Sequence, residues 1–454
     1  SDQIEHFILQ DHTVAACTDR IARSFGIPLI RGGPISDSEI AKVARDPYIR
    51  KALQSTLIRG LQLELFFTYL RKSLLRLASE TVDSDILVLF SALAQQCFIN
   101  EYVYLIGDDE ALQIAKWREL IEERMADGNS IEPFILVAVA AYLPLYSLST
   151  PERLFKQKWS PAIVELLTQQ IREPLEEIRE RNSIPAITPN MNKIPIRAGP
   201  NCRLSAGGIQ RKWMFSLPAA ALGSTSSTLL RKIQRRAYWQ SISAWRALPM
   251  QSAKSVRNAW SISNFAQADI LELGAIGRVF DHIEAVGVLH HLADPKTGWR
   301  VLLSLLRPGG TMHVGLYSQL ARRAVVEARS IISREGYEPT ADGIRAMRRM
   351  IMRDDSRWKA ITGFSDFYCM SGCRDLLFNV MEHRFAVSDI AEFLNDNKLT
   401  FLGFELPADV NERFQQQYQG RLLDLDCWQL FELNQPNTFR FMYQFTVSKQ
   451  RTAI

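Results

Sequence analysis

Residues 266–318 read AQADILELGAIGRVFDHIEAVGVLHHLADPKTGWRVLLSLLRPGGTMHVGLYS, and this stretch decides the fold. Residues 265–270 form a short run closing on Ala268-Asp269, and residues 280–289 carry alternating, then continuous apolar side chains, in the manner of a strand buried on both faces. His290 and His291 follow. Trp299, Val301, Leu302, Leu305 and Leu306 recur at helical spacing, and Pro308-Gly309-Gly310 stops that helix before a further strand over 311–316. Strand, helix and strand again make a βαβ crossover, which commits the region to an α/β sheet.

Upstream, residues 1–180 read as helices throughout. Asp46-Pro47 opens an apolar-periodic helix through Leu53, Leu57 and Leu61, and Asp83 caps another carrying Ile86, Leu89, Phe90, Leu93 and Cys97. Thr150-Pro151 and Ser160-Pro161 each place a cap before a first-turn proline. No fixed period appears, so the region is a helical domain and not a repeat array. The aromatic run FINEYVY at 98–104 is a candidate protein-partner surface, although that spacing more often marks core.

Composition narrows the class. The apolar fraction of 47% and charged fraction of 23% are those of an ordinary globular chain. The longest apolar run, 134–148, is shorter than a membrane span and holds Pro144, so no membrane role is expected. The N-terminus shows no signal-peptide pattern. Cysteines at 17, 97, 202, 369, 373 and 427 make neither a metal site nor a disulfide framework, which fits a reducing cytoplasm.

Charge is distributed unevenly. From Arg181 to Ala268, 88 residues contain no Asp or Glu and 13 Lys plus Arg, so the other 41 basic residues face all 49 acids. From Asn190 to about Ser263 the amphipathic periods fail as well, and Trp213, Trp239, Trp245 and Trp260 share no face. A basic, Trp-rich segment can serve as a nucleic-acid surface. A different explanation follows from the family the chain resembles.

An Asp closing one strand and VLHHL closing the next before RPGG resembles the second half of a class I S-adenosylmethionine-dependent methyltransferase. The closest likeness is to bacterial forms with a helical, often tetratricopeptide-bearing, region before the catalytic domain. It continues through RDLLFNVMEHRF, FLGFEL and MYQFTVSK. The resemblance implies a helical domain over 1–180 and, over 190–454, a doubly wound Rossmann-like sheet with an insertion or lid at 319–398. S-adenosylmethionine is the implied cofactor, and the methyl acceptor is left open. By the same resemblance Asp269 accepts from the adenine amino group, Ile270 flanks the ring, and Val286, Gly287 and Val288 line the floor. His290 and His291 stand at the catalytic edge. Capping of the turn at Leu271 is the structural alternative for Asp269, and a buried strand is that for 286–288. In the insertion Phe364, Phe367, Tyr368 and His383 are candidates for acceptor contact or for a lid's own core. Ser388 is expected to cap the next helix, with strands at 399–406 and 439–448.

The resemblance also requires a first strand, a glycine-rich turn and a second strand ending in an acid, where the written residues offer only Ala206-Gly207-Gly208 and Gly223-Ser224. Each codon's third base can instead be read with the first two of the next. Trp213–Thr225 then permits Asp-Val-Leu-Ile-Ala-Gly-Cys-Gly-Thr-Gly-Gln-His, whose opening Asp-Val is forced by the codons of Trp213, Met214 and Phe215. The same shift permits Val-Leu-Ala-Ile-Asp-Leu-Ser over 237–244 and Tyr-Glu-Gln-Asn-Pro-Tyr-Pro-Arg-Trp over 190–199. The two aspartates then stand about 28 positions apart, which suits one strand–helix–strand unit of roughly 30 residues. The expectation is that 190–263 is an out-of-frame translation of the cofactor-binding half, so that the first third of the sheet is scrambled and nucleic acid is not the partner. The competing expectation is a helical interaction protein whose degenerate methyltransferase-like domain binds an acidic partner or nucleic acid.

Overall fold

The computed structural model describes residues 35–77, 83–182, 203–207, 213–218 and 263–450. Most of the anomalous segment lies outside the described residues. The chain divides into two units: a helical one holding 35–182 and 331–378, and a sheet-bearing one holding the described parts of 203–330 and 379–450.

In the helical unit, α1 (Asp37–Ala44), α2 (Pro47–Ser55), α3 (Leu61–Arg76) and α4 (Ser84–Ile99) precede α5 (Asp108–Asp127), α6 (Pro133–Ala140), α7 (Pro161–Leu167) and α8 (Glu173–Asn182). Asp46 accepts from the amides of Tyr48 and Ile49, and Asp83 from that of Asp85, so both expected caps form. Thr150 and Ser160 occupy N-cap positions before Pro151 and Pro161 without a side-chain bond. The centre is α4, whose Leu89, Phe90, Leu93, Ala94 and Cys97 are fully buried. Tyr102, Val103 and Tyr104 of the aromatic run are also core.

Segment 331–378 completes this core. The Arg348 guanidinium, fully buried on Ala341–Arg353, donates to both carboxylate oxygens of Glu64 at 2.8 and 2.7 Å and to the carbonyls of Val103 and Phe367. Arg345 donates to the Tyr102 carbonyl, and the Ser371 amide and hydroxyl donate to Glu101. The loop they grip holds Glu101 and Tyr102 at φ 56° and 60°, a left-handed conformation that side chains rarely adopt. Those side-chain bonds offset its cost. Phe364, Phe367 and Tyr368 are buried within this unit, Phe367 under the Arg348 guanidinium at 4.5 Å.

The second unit is a seven-stranded sheet in the order β3-β2-β1-β4-β5-β7-β6. β1 (Arg203–Gly207) runs parallel to β4 (Phe280–Val286), and β4 parallel to β5 (Leu306–Leu316) through the crossover helix α9 (Pro295–Ser304). β7 (Tyr443–Lys449) inserts antiparallel between β5 and the edge strand β6 (Leu399–Phe404). This is a Rossmann-like mixed sheet following a helical region. Its first strands differ from a doubly wound half, because β2 (Trp213–Pro218) is antiparallel to both β1 and β3 (Ser263–Ala268).

Three local outcomes differ from the sequence expectation. β5 begins at Leu306, so Pro308-Gly309-Gly310 is not a stop before the strand but an excursion within it; pairing jumps from Phe280↔Leu306 to His282↔Thr311, with Gly309 at φ 76°. Ser388 does not cap the helix Val387–Asp396; Ala386 is the cap residue, and its amide donates to Asp389. β4 is not apolar on both faces. Ile283, Ala285, Met312, Val314, Phe445 and Val447 pack on one side into the core with Trp299, Phe393 and Trp428. On the other side His282 bonds Thr311 at 2.7 Å and His313 bonds Thr446 at 3.1 Å, so the polar face is satisfied across the strands.

Val286 pairs with Gly315 at the strand ends, and a Cβ on Gly315 meets Val286 Cγ1 at 2.4 Å and Met442 Sδ at 2.8 Å. Gly315→Ala is therefore expected to destabilise by about 1–3 kcal/mol through overpacking. Urea unfolding checks this, and a neutral substitution contradicts the packing at this pair.

Candidate functional site

In an open α/β sheet the ligand crevice lies outside the carboxyl ends of the parallel strands. Here those ends are Val286 of β4 and Leu316 of β5. Val286 is 9% exposed, Gly287 turns the chain at φ 74°, and Val288 is fully buried. The left-handed turn at 287 suits glycine. A short 3-10 turn, Leu289–His291, then sets the two histidines against Tyr317, the first residue beyond β5. The His290 ring lies 3.9 Å from that of Tyr317 and 4.3 Å from that of His291.

Segment 379–385 closes over this end. The His383 amide donates to the His290 carbonyl at 2.8 Å, and the Phe385 amide to the Tyr317 carbonyl. His291 Nδ1 stands 3.0 Å from the Met381 carbonyl and 3.2 Å from the Asn379 side-chain amide nitrogen, so this segment fixes the ring's orientation. Glu382 is nearly fully buried and draws three guanidiniums, those of Arg322, Arg329 (2.8 Å) and Arg384 (4.0 Å). Burial alone raises the Glu382 carboxyl, but the Arg322 bonds and the charges of Arg322 and Arg329 hold it below its ordinary range. Arg322 also lies 3.9 Å from the Tyr317 ring centre. Beyond Tyr317, Ser318 donates to Glu432, which accepts from Tyr443 at 2.6 Å on its other oxygen; burial raises the Glu432 carboxyl against both bonds.

The structure thus brings His290, His291 and His383 together and adds Tyr317, Arg322, Glu382 and Glu432. Asp269 and Ile270 belong to another turn. Asp269 Oδ1 accepts from the Leu271 amide at 2.9 Å, capping Ile270–Ile276, and Ile270 is fully buried. The cap expected as the alternative for Asp269 is present, whereas of 286–288 only Val286 lies in the strand, with Gly287 and Val288 beyond its end. Phe364, Phe367 and Tyr368 belong to the helical unit.

Burial first, then the charges of His291 and Arg322, hold His290 well below its ordinary value. The unfolded chain therefore binds this proton more tightly than the folded one, so stability is full above about pH 6.5 and falls as pH drops below it. Between pH 7.5 and 5.5 the parent is expected to lose about 1 kcal/mol more than His290→Asn. Equal losses in urea melts at both pH values contradict a neutral buried ring.

The fit to S-adenosylmethionine is one-sided. The β4 and β5 ends, with an unsatisfied histidine behind them, suit a polar ligand. On the other side, β1 and β2 pair antiparallel, and 219–262, which follow β2, lie outside the described residues. Among the described residues no group of three or more His, Cys, Asp or Glu is arranged to hold a metal, and no helix is long and apolar enough to cross a membrane.

Residues 222–314 match the family model described as a methyltransferase domain, a span that runs from within the anomalous segment through β3, β4 and α9 into β5. An uncharacterized protein of Synechococcus sp. is 28% identical over 204 residues, covering 40% of this chain and 47% of the relative. The chain thus spans about half the length of the curated relative it matches. Two solved structures of PKMT2 from Rickettsia typhi, one in complex with AdoHcy, share 18% and 16% identity at TM-score 0.32, covering 44% of this chain and 42% of theirs. The resemblance to class I methyltransferases is supported by the family match, and S-adenosylmethionine is the methyl donor it implies.

Proposed function

We propose, from the methyltransferase-domain match over 222–314, that this chain derives from an enzyme transferring a methyl group from S-adenosylmethionine to an acceptor at the β4–β5 end of the sheet. The observation that carries the reading is the convergence of His290, His291 and Tyr317 on the ligand edge of a 3-2-1-4-5-7-6 sheet. Such catalysis is chiefly positioning, and here the 379–385 segment and the Arg322–Glu382 pair hold the edge in place.

The cofactor-binding half is read as out of frame over about 190–263. Three family strings in one shifted frame, the missing acids, and the antiparallel pairing of β2 with both its neighbours all support that reading. The coding DNA tests it directly: an interrupted shifted frame ends it. Within a chain carrying the shifted-frame residues, Asp269→Ala is expected to weaken S-adenosylmethionine roughly ten- to a hundredfold, the worth of one hydrogen bond to a charged acceptor. Titration calorimetry that finds the affinity unchanged removes the adenine assignment and leaves the fold.

A further inference from the structure

His290 is fully buried, yet neither ring nitrogen makes a hydrogen bond. The Gly315 backbone lies close enough to favour the protonated ring without forming one. A neutral imidazole has one N–H and one lone pair to place, and a native core that leaves both unmade points to a group arriving from outside. Its surroundings define that group. Arg322, Arg329 and Arg384 converge on the single carboxylate of Glu382, and His291 and His383 complete the rim. The carboxylates built into these segments are engaged already: Glu382 by the guanidiniums, and Glu432 by Ser318 and Tyr443.

We propose that this cluster binds an anionic oxygen, a carboxylate or acidic hydroxyl, and that the methyl acceptor presents such an oxygen and not an ammonium. An ammonium finds both carboxylates already engaged and is repelled by the guanidiniums. An anionic oxygen is attracted by them and accepts the His290 N–H. Burial of the site strengthens both effects. A nucleophile that is already anionic also needs no base, which suits a histidine kept neutral first by burial and then by the charges of His291 and Arg322. The anion site stands on this geometry alone. Only the naming of its occupant as methyl acceptor rests on the methyltransferase reading.

The test uses the full chain with ¹⁵N-labelled histidine, titrated at pH 7.5 with benzoate and, separately, with benzylammonium, a cation of matched size. Benzoate is expected to shift the His290 ring signal, assigned by its loss in His290→Asn, and to bind at least tenfold more tightly than benzylammonium. Arg384→Glu, at the exposed rim, is expected to weaken benzoate at least tenfold, and it keeps the test available should His290→Asn not fold. Benzylammonium binding as tightly as benzoate overturns the proposal. So does benzoate that leaves the His290 signal in place, or whose affinity is indifferent to Arg384→Glu. Should benzoate bind as expected while a chain with the shifted-frame residues takes no S-adenosylmethionine, the anion site stands and the methyltransferase reading falls.

Discussion

Replacing residues 190–263 by the shifted-frame translation is expected to raise affinity for S-adenosylmethionine at least a hundredfold over the written chain. Two elements are at stake. The shifted frame supplies an acid at the end of the second strand, and each hydrogen bond to such a charged acceptor contributes about 1.5–3 kcal/mol. Loss of that acid alone weakens binding ten- to a hundredfold. It also supplies Gly-Cys-Gly-Thr-Gly, a turn that lets the backbone approach the ligand and opens a crossover helix. In the written chain the corresponding positions, 218–222, read Pro-Ala-Ala-Ala-Leu and offer no glycine for that approach. Calorimetry on the two proteins decides the matter: equal affinity refutes the frame reading, and no binding by either refutes the methyltransferase reading.

The second large effect is on stability. Arg348→Met leaves the Glu64 carboxylate, 3% exposed, buried without its bidentate partner, and strips donors from the carbonyls of Val103 and Phe367. Burial alone lowers the Arg348 proton affinity, but the charge and hydrogen bonds of Glu64 raise it above its ordinary value, so the ion pair is the intact state. Breaking such a pair from one side costs about 3–5 kcal/mol, whereas replacing both members by apolar residues is often close to neutral. Arg348→Met is therefore expected to lower the urea midpoint sharply, and Glu64→Leu with Arg348→Met to recover most of the loss. A single variant as stable as the parent contradicts the pairing. A double variant no better than the single one assigns the cost to the carbonyls.

The elements legible in the sequence are those with a local signature. The 266–318 crossover, the Asp46 and Asp83 caps and the strands β6 and β7 rest on period, cap chemistry and turn residues, all readable within a dozen positions. The polar face of β4 was present in the letters, since His282 and Glu284 alternate with Ile283 and Ala285. Its meaning depended on Thr311 and His313 standing opposite, with Thr446 beyond His313. The histidine pair was legible because it follows a strand end. Its partners were not: Arg322 meets Glu382 across 60 positions and Ser318 meets Glu432 across 114, and no periodicity encodes such pairings. The run Glu382-His383-Arg384 was the available hint. Phe364, Phe367 and Tyr368 read equally as acceptor contacts or as core, and Arg348 settles where they pack.

The Glu64–Arg348 pair spans 284 positions, and that separation governs when the helical unit can finish folding. During synthesis at about 5–20 residues per second, roughly 15–60 s pass between the emergence of the carboxylate and that of its guanidinium. Through that interval the early helices hold an acidic group that their own core cannot satisfy, and the strained loop at Glu101 and Tyr102 lacks the side chains that grip it. The helical unit is therefore expected to complete its core only after 331–378 have emerged.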